Sequence, residues 1–500
     1  MRPIFLTAAI LAGAISSRGA YPGPPESLSL VPGQRQLFLD DFVVGHLYRV
    51  DRLIHQPRKY EGNPVIRPDL PTDGVEIQTR DAPSWDEKEK IWKTWYWIGD
   101  GSPGDTTGFA RSPDGIHWEK PNLGLVEKNG NRNNNLVTVK DEPDAFIQHV
   151  FLDPTASRER RYKGMIGPYG RRPCISADGY VFTALSVPPI PSQDESDLNW
   201  DSLSKQYIMT VKHVGPFGRS VYLTVSRDFE KWTDPKLIYH ADSLDQALGA
   251  RQIREVEANP RMWHPTINHP SEYRTEIYFM PIFAYEGLYI GMPNYFEASG
   301  LIPLPVGNQD GTNSVKLACS RDLCCWTAVG DRRHFLPISE MGRGGWDTGQ
   351  VLATSHPIRR GNELWIYYSG LDVRYRPSTA RARGGIGLAR LRLDGFVSLH
   401  AGAEEGIVET RPIRFEGERL YVNADASKGR IRAEITDFSE RMVLKGRSRD
   451  RSLLLSADSL RSELRWQGSD GMKDLRGQVV RIRFYLENAD LYSFWLEEGN

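Results

Sequence analysis

A block of about fifty residues recurs down this chain, and that recurrence restricts the fold more than any other feature. Residues 75–122, VEIQTRDAPSWDEKEKIWKTWYWIGDGSPGDTTGFARSPDGIHWEKPN, read as four short strands. The first carries Arg80-Asp81, the second is the aromatic run IWKTWYW, and the third is TTGFARS. A Pro113-Asp114-Gly115 turn then leads to a short fourth strand with Trp118. Apolar positions in these runs follow a period closer to two than to 3.6, which predicts strands.

Four more units follow. The second starts near Asp144 and runs AFIQHVFLDP, RYKGMIG, PCISADGYVF. The third starts at Asp197, with DLNWDS, KQYIMTVK and SVYLTVSRDFEKW. The fourth starts at Glu276, with EIYFMPIF, LYIGM and SVKLACSRDLCCW. The fifth starts at Asp347, with DTGQVLATSHPI, ELWIYYSG and GGIGLARLRLDGFVSL. A Ser-x-Asp step echoes through four of them, at Asp114, Asp178, Asp228 and Asp322. An aspartate there can accept backbone N–H groups in a tight turn, so these four acids are assigned to architecture. Insertions are expected at roughly 242–272 and 292–312, and long helices are not evident. Five such β-units predict a five-bladed β-propeller over residues 75–401.

The flanks differ. MRPIFLTAAILAGAISSRGA has one positive charge, a short apolar run and small residues, the grammar of a signal peptide over residues 1–20. It implies a secreted or periplasmic protein. Residues 21–74 are expected to wrap onto the first unit, with Asp40 and Asp41 pinning that segment. After residue 402, RPIRFEGERLYVNADASKGRIRAEITD and DLRGQVVRIRFYLENADLYSFWLEEG alternate strongly without the Ser-x-Asp step, which predicts a C-terminal β-sandwich over 402–500. The fold class is therefore all-β, a propeller followed by a sandwich. The net charge of -1 favours neither nucleic acid nor an acidic membrane. No later stretch is apolar enough to span a bilayer. Cys174, Cys319, Cys324 and Cys325 lack zinc spacing and are expected to be packing thiols.

In a propeller, the first strand of each unit lines the central channel. An acidic residue recurs near the start of that strand: Asp81, Asp144, Asp197, Glu276 and Asp347. Carboxylates sharing one pocket do not all ionise cheaply, so one tends to keep its proton. That supplies an acid beside a base or nucleophile, which cleavage of a glycosidic bond requires. Asp81, Asp197, Glu276 and Asp347 are the catalytic candidates; Asp144 is weaker because it sits in the loop EPD. Arg80 could orient substrate or hold a carboxylate, and Trp97 and Trp346 could stack on sugar faces. No motif specifies a metal or other cofactor, although channel oxygens could hold a structural Ca²⁺.

The chain resembles five-bladed propeller glycoside hydrolases of the family 32 and family 43 type, and most of all exported bacterial proteins with a family 32 N-terminal-like domain. The stretches that carry the resemblance are LFLDD, GFARSPDGIHWEKPNLGLVE, NNNLV, RRYKG, EIYFMPIFAYEGLYIG and FEGERLYVNADAS. TRDAPSWDEKEKIW is similar to the R-D-P stretch of family 32, with Ala82 in place of proline. The resemblance implies that Asp81 stabilises the transition state. The family 32 nucleophile motif W-x-N-D-P-N-G and its E-C acid motif are absent, so nucleophile and acid are not carried over. The expectation is an exported glycoside hydrolase acting on a carbohydrate. A non-catalytic glycan-binding propeller and a glycoside phosphorylase are the alternatives; the latter would need basic residues clustered beside the acids.

Overall fold

A computed structural model describes residues 27–99, 105–305, 307–342, 344–374, 383–469 and 471–499. The expected leader lies outside these residues. Among the described residues the regular structure is nearly all β, arranged in seven sheets.

The recurrent block folds as expected at its centre. Ile91–Ile98 pairs with Thr106–Ser112 on one side and with Ile77–Gln78 and Ser84–Asp86 on the other. Residues 79–83 leave the ladder, so the first strand is in two pieces. No fourth strand forms around Trp118; a single bridge joins Arg111 to Glu119. The second unit builds the order Thr138–Val139, Val181–Ala184, Arg172–Ser176, Tyr162–Ile166, Ile147–Leu152. The third is a meander of Ser196–Asp201, Gln206–Gly215, Gly218–Ser226 and Lys236–Tyr239. The fourth meander is Ile282–Tyr285, Leu288–Gly291, Ala318–Ser320 and Trp326–Ala328, whereas Arg274–Phe279, Asn294–Leu301 and Gln309–Val315 pair in series and join the sheet of the fifth unit through Asn313 and Gln350. The stretch 292–312, expected to be an insertion, is therefore mostly strand, in the eight-stranded sheet that also holds the fifth unit. In the fifth unit, Gln350–Ala353, Glu363–Leu371 and Gly384–Arg392 are followed by Arg58–Lys59, a strand from the other end of the chain.

The first strands of the five units face one another. Asp81 reaches His149, and His149 reaches Ser196. Asn199 donates to the Ile282 and Ser355 carbonyls. The Ala82 N–H donates to Ser355 Oγ, and the Thr79 N–H to Ser369 Oγ.

The insertion at 242–272 contains a 16-residue helix, Ser243–Ala258, that the strand periodicity did not suggest. Asp242 caps it in a reciprocal box with Asp245, and Arg332 pairs with both acids. Ile253 and Val256 are its buried apolar side chains.

The four Ser-x-Asp turns are nearly superposable in their bonding. Each aspartate Oδ1 accepts the N–H groups two and three residues on, at 2.7–3.0 Å. The next residue is left-handed: Gly115 (φ 83°), Gly179 (82°), Phe229 (68°) and Leu323 (66°). Trp118, Trp232 and Trp326 donate their indole N–H back to that residue's carbonyl. Asp228→Ala is expected to cost about 1 kcal/mol, as loss of a cap does, and to lower the thermal midpoint without altering any ligand affinity.

The remaining strands form two six-stranded sheets around one apolar core. Val479–Glu487 alternates buried and half-buried residues along its whole length. The N-terminal segment mostly belongs here, not to the first unit as expected. Leu28–Ser29, Gln36–Leu37, Val44–Tyr48 and Asp51–Ile54 all pair with C-terminal strands. The physical reason lies in the C-terminal strands, whose open edges take up these early strands. Asp40 pairs with Arg321 and Asp41 with Arg52, so both pin this segment. Cys174 and Cys319 are buried packing thiols, whereas Cys324 and Cys325 are exposed on the fourth Ser-x-Asp turn. No helix among the described residues is long and apolar enough to cross a membrane.

Candidate functional site

The first strands bring Arg80 to the centre of a buried polar cluster. Its guanidinium makes a bidentate pair with Glu195, Nε to Oε2 and Nη2 to Oε1, both at 2.7 Å. The same group lies over the Phe279 ring at 5.0 Å and feels the charge of Glu76 and the Tyr278 hydroxyl. Both partners of the pair are almost fully buried. A planar fork matches a carboxylate in this way where a lysine would not.

Glu76 stands at the start of the first strand, two residues before Gln78 and four before Arg80. Gln78 Nε2 donates to its carboxylate. Burial pushes the Glu76 carboxyl up to about 7; Gln78 and Arg80 oppose the rise, and Asp105 and Asp372 add to it. Beyond Glu195, Arg171 donates to the Asp194 carbonyl (2.8 Å) and to Ser196 Oγ (2.7 Å). Lys212 pairs with the Asp194 carboxylate at 2.5 Å. Burial lowers Arg171 to about 10. Burial also raises Tyr278 well above an ordinary phenol.

Asp81 and Asp197 lie beneath this cluster. Asp81 accepts the Val150 N–H (2.9 Å), and its other oxygen is 3.0 Å from His149 Nδ1. The imidazole's Nε2 is 2.7 Å from Ser196 Oγ. Asp197 is fully enclosed and its Oδ1 has no partner. Burial, and then the neighbouring Asp81 charge, raise Asp197 far above a normal carboxyl, against Ile282 N–H and Arg80. The two acids thus differ in their environments, Asp197 favouring its proton.

The expected ring of five carboxylates at one mouth does not form. Glu276 pairs with Arg219, which also binds Gln309 and Asn308. The strand between Glu276 and Ile282 is interrupted by a register shift at Ile277/Phe279, and it is Ile282 that meets Asn199. Asp347 lies in a different recess, 2.6 Å from Lys59 Nζ, which also donates to Ser339 Oγ and the Pro337 carbonyl. Trp346 lines that recess, stacked on Tyr368 with ring centroids 5.8 Å apart. Asp144 is exposed at the rim of a third depression. Trp97 packs on Phe146, which lines it. Asp347→Asn removes the charge beside a largely enclosed ammonium, and the expected cost is roughly 2–4 kcal/mol in denaturant titration. Turnover per folded molecule should stay within about twofold, because Asp347 lies outside the Arg80 cluster.

Glu76 and Glu195 were not singled out from the sequence. Strict alternation from Arg80 back to Gln78 and Glu76 is the signal that could have found the first. Glu195 lies one residue ahead of its strand, where no pattern marks it. Among the described residues one group of three metal-binding side chains converges, His46, Glu409 and Glu440. Arg481 and Arg483 already neutralise both acids there, so it is poorly suited to a cation.

No family model and no curated protein matches the chain. Several solved structures are similar at low identity. A glycosyl hydrolase from Bacteroides ovatus is 13% identical over 69% of this chain and 97% of that chain, with a TM-score of 0.40. A structure from the GH130 family of mannoside phosphorylases is 15% identical over 71% and 95%, with a TM-score of 0.38. The catalytic domain of the Coprinopsis cinerea GH62 alpha-L-arabinofuranosidase is 10% identical over 69% and 97%, with a TM-score of 0.40. Similarities at this level assign the chain to no family.

Proposed function

We propose that this chain is a glycan-active enzyme, a glycoside hydrolase whose site is the mouth around Arg80. One observation carries the reading: a single buried guanidinium stands among three acids that it does not hold alike. Glu76 and Asp197 are pushed toward the protonated form, whereas Glu195 is gripped by two N–H groups of Arg80. Pairs of acids separated in this way supply a proton donor and a charged partner at one pH.

In this reading the five sheets are propeller blades, and the two six-stranded sheets are an accessory sandwich. Glu76, the less enclosed acid, protonates the leaving oxygen. Glu195 faces the developing positive charge on the sugar ring. Asp81 and Asp197 form a lower tier that sets the field at the mouth, and Arg219 with Glu276 flanks it and offers hydrogen bonds to sugar hydroxyls. The leader-like N-terminus supports a secreted or periplasmic location.

A phosphorylase is the second reading. It is favoured by the basic groups that gather beside Glu195 and Asp194, namely Arg80, Arg171 and Lys212. Each already has a carboxylate or carbonyl partner, so hydrolysis is preferred. Chromatography of products from a panel of plant and algal polysaccharides, with and without inorganic phosphate, tests both. Free sugars released without phosphate are expected. Sugar phosphates formed only with phosphate would replace the hydrolase reading, and binding without any product would leave a glycan-binding protein.

A further inference from the structure

The five first strands end opposite the Arg80 mouth, and there they enclose a second cavity of about 460 Å³. Every one of the five units contributes to its wall: Trp85, Phe151, Trp200, Phe283 and His356 come one from each, and Trp92 adds a further indole from the first unit. Volumes of a few hundred Å³ with aromatic walls and few polar groups are typical of small-ligand sites.

We propose that this aromatic cup is a binding site for one neutral sugar ring, independent of the site at the mouth. Three features define the ligand. Trp85 and Trp92 sit with ring centroids 5.2 Å apart at 51°, and Trp200 packs at 4.9 Å on Tyr207, so the indoles are fixed in place. Rigid indole faces suit the C–H face of a pyranose at small entropic cost. Trp92 is 8% exposed and packs into the wall with its indole N–H closed off from the cup. Ser84, Ser202 and Tyr285 bring hydroxyl groups to the lining, which suit a ligand rich in hydroxyls and not a hydrocarbon. Arg359 is the one charged residue in the lining, and it is exposed. His356 is neutral, burial lowering it to about 4. The cup therefore has no carboxylate to hold a cationic ligand, and its one cation is the exposed Arg359.

Ligand-observed saturation-transfer NMR with the full chain would test this, using glucose, galactose, mannose, xylose and arabinose as probes. At least one should bind saturably. Trp85→Ala removes one indole from the wall of the cup, so affinity for that sugar should fall about 3- to 10-fold. Trp200→Ala should weaken it as well, with circular dichroism confirming that both variants are folded. Glu76→Gln, which alters the mouth, should leave the affinity unchanged. Binding is read without turnover, so a chain with no hydrolase activity can still pass. No binding by any of the five sugars, undiminished binding by both tryptophan variants, or loss of binding in Glu76→Gln would each overturn the proposal.

Discussion

Arg80→Met is expected to destabilise the chain by about 3–5 kcal/mol, the usual cost of stripping one partner from a buried ion pair, and to abolish turnover. The reason is that Glu195 has no other charged partner of comparable geometry: both its oxygens face Arg80 at 2.7 Å. Without the guanidinium, a carboxylate with almost no solvent contact must take up a proton or distort its surroundings. Glu76 and Asp197 lose a nearby positive charge at the same time. Urea denaturation followed by tryptophan fluorescence measures the stability. The control is Arg80→Met combined with Glu195→Gln, which removes both charges. That double variant should recover most of the stability and none of the activity, separating the structural role of the pair from its chemistry.

The second large effect is expected at Glu76, where stability and activity should move in opposite directions. The folded-state carboxyl is raised to about 7, whereas an unfolded glutamate titrates near 4.3. Between those values the folded state holds the proton more tightly, so stability falls as pH rises from about 4 to about 7. Glu76→Gln removes this dependence and should be more stable than the parent above pH 7, by equilibrium denaturation at pH 8. It also removes the proposed proton donor, and kcat should drop by about 10²–10⁴-fold. A variant that loses activity while gaining stability cannot be explained by misfolding.

The Ser-x-Asp turns and the strands they join could be read from residue types because their causes are local. Ser112, Asp114 and Gly115 satisfy their own turn, and the same bonds recur at 176–179, 226–229 and 320–323. The site depended on matters that are not local. Acids near the start of each unit meet at one level only where equivalent strands run to equal depth. The 79–83 departure from the ladder carries Asp81 down to His149, and the break near Ile277/Phe279 strands Glu276 with Arg219. Each shift of register changes which side chain meets the centre. Asp347 begins its unit as expected, yet Lys59 from a distant part of the chain claims it. The helix at 243–258 was readable in principle, since Asp242 and Asp245 supply both halves of its cap. Its weak apolar stripe, Ile253 and Val256, hid it among strand-like neighbours.

The most direct test of the mouth around Arg80 is the pH dependence of kcat/KM on whichever polysaccharide gives product. With Glu76 as proton donor, kcat/KM should fall about tenfold per pH unit above about 7, and that limb should vanish from the residual activity of Glu76→Gln. A profile flat through pH 7, or the same limb persisting in Glu76→Gln, would contradict the assignment.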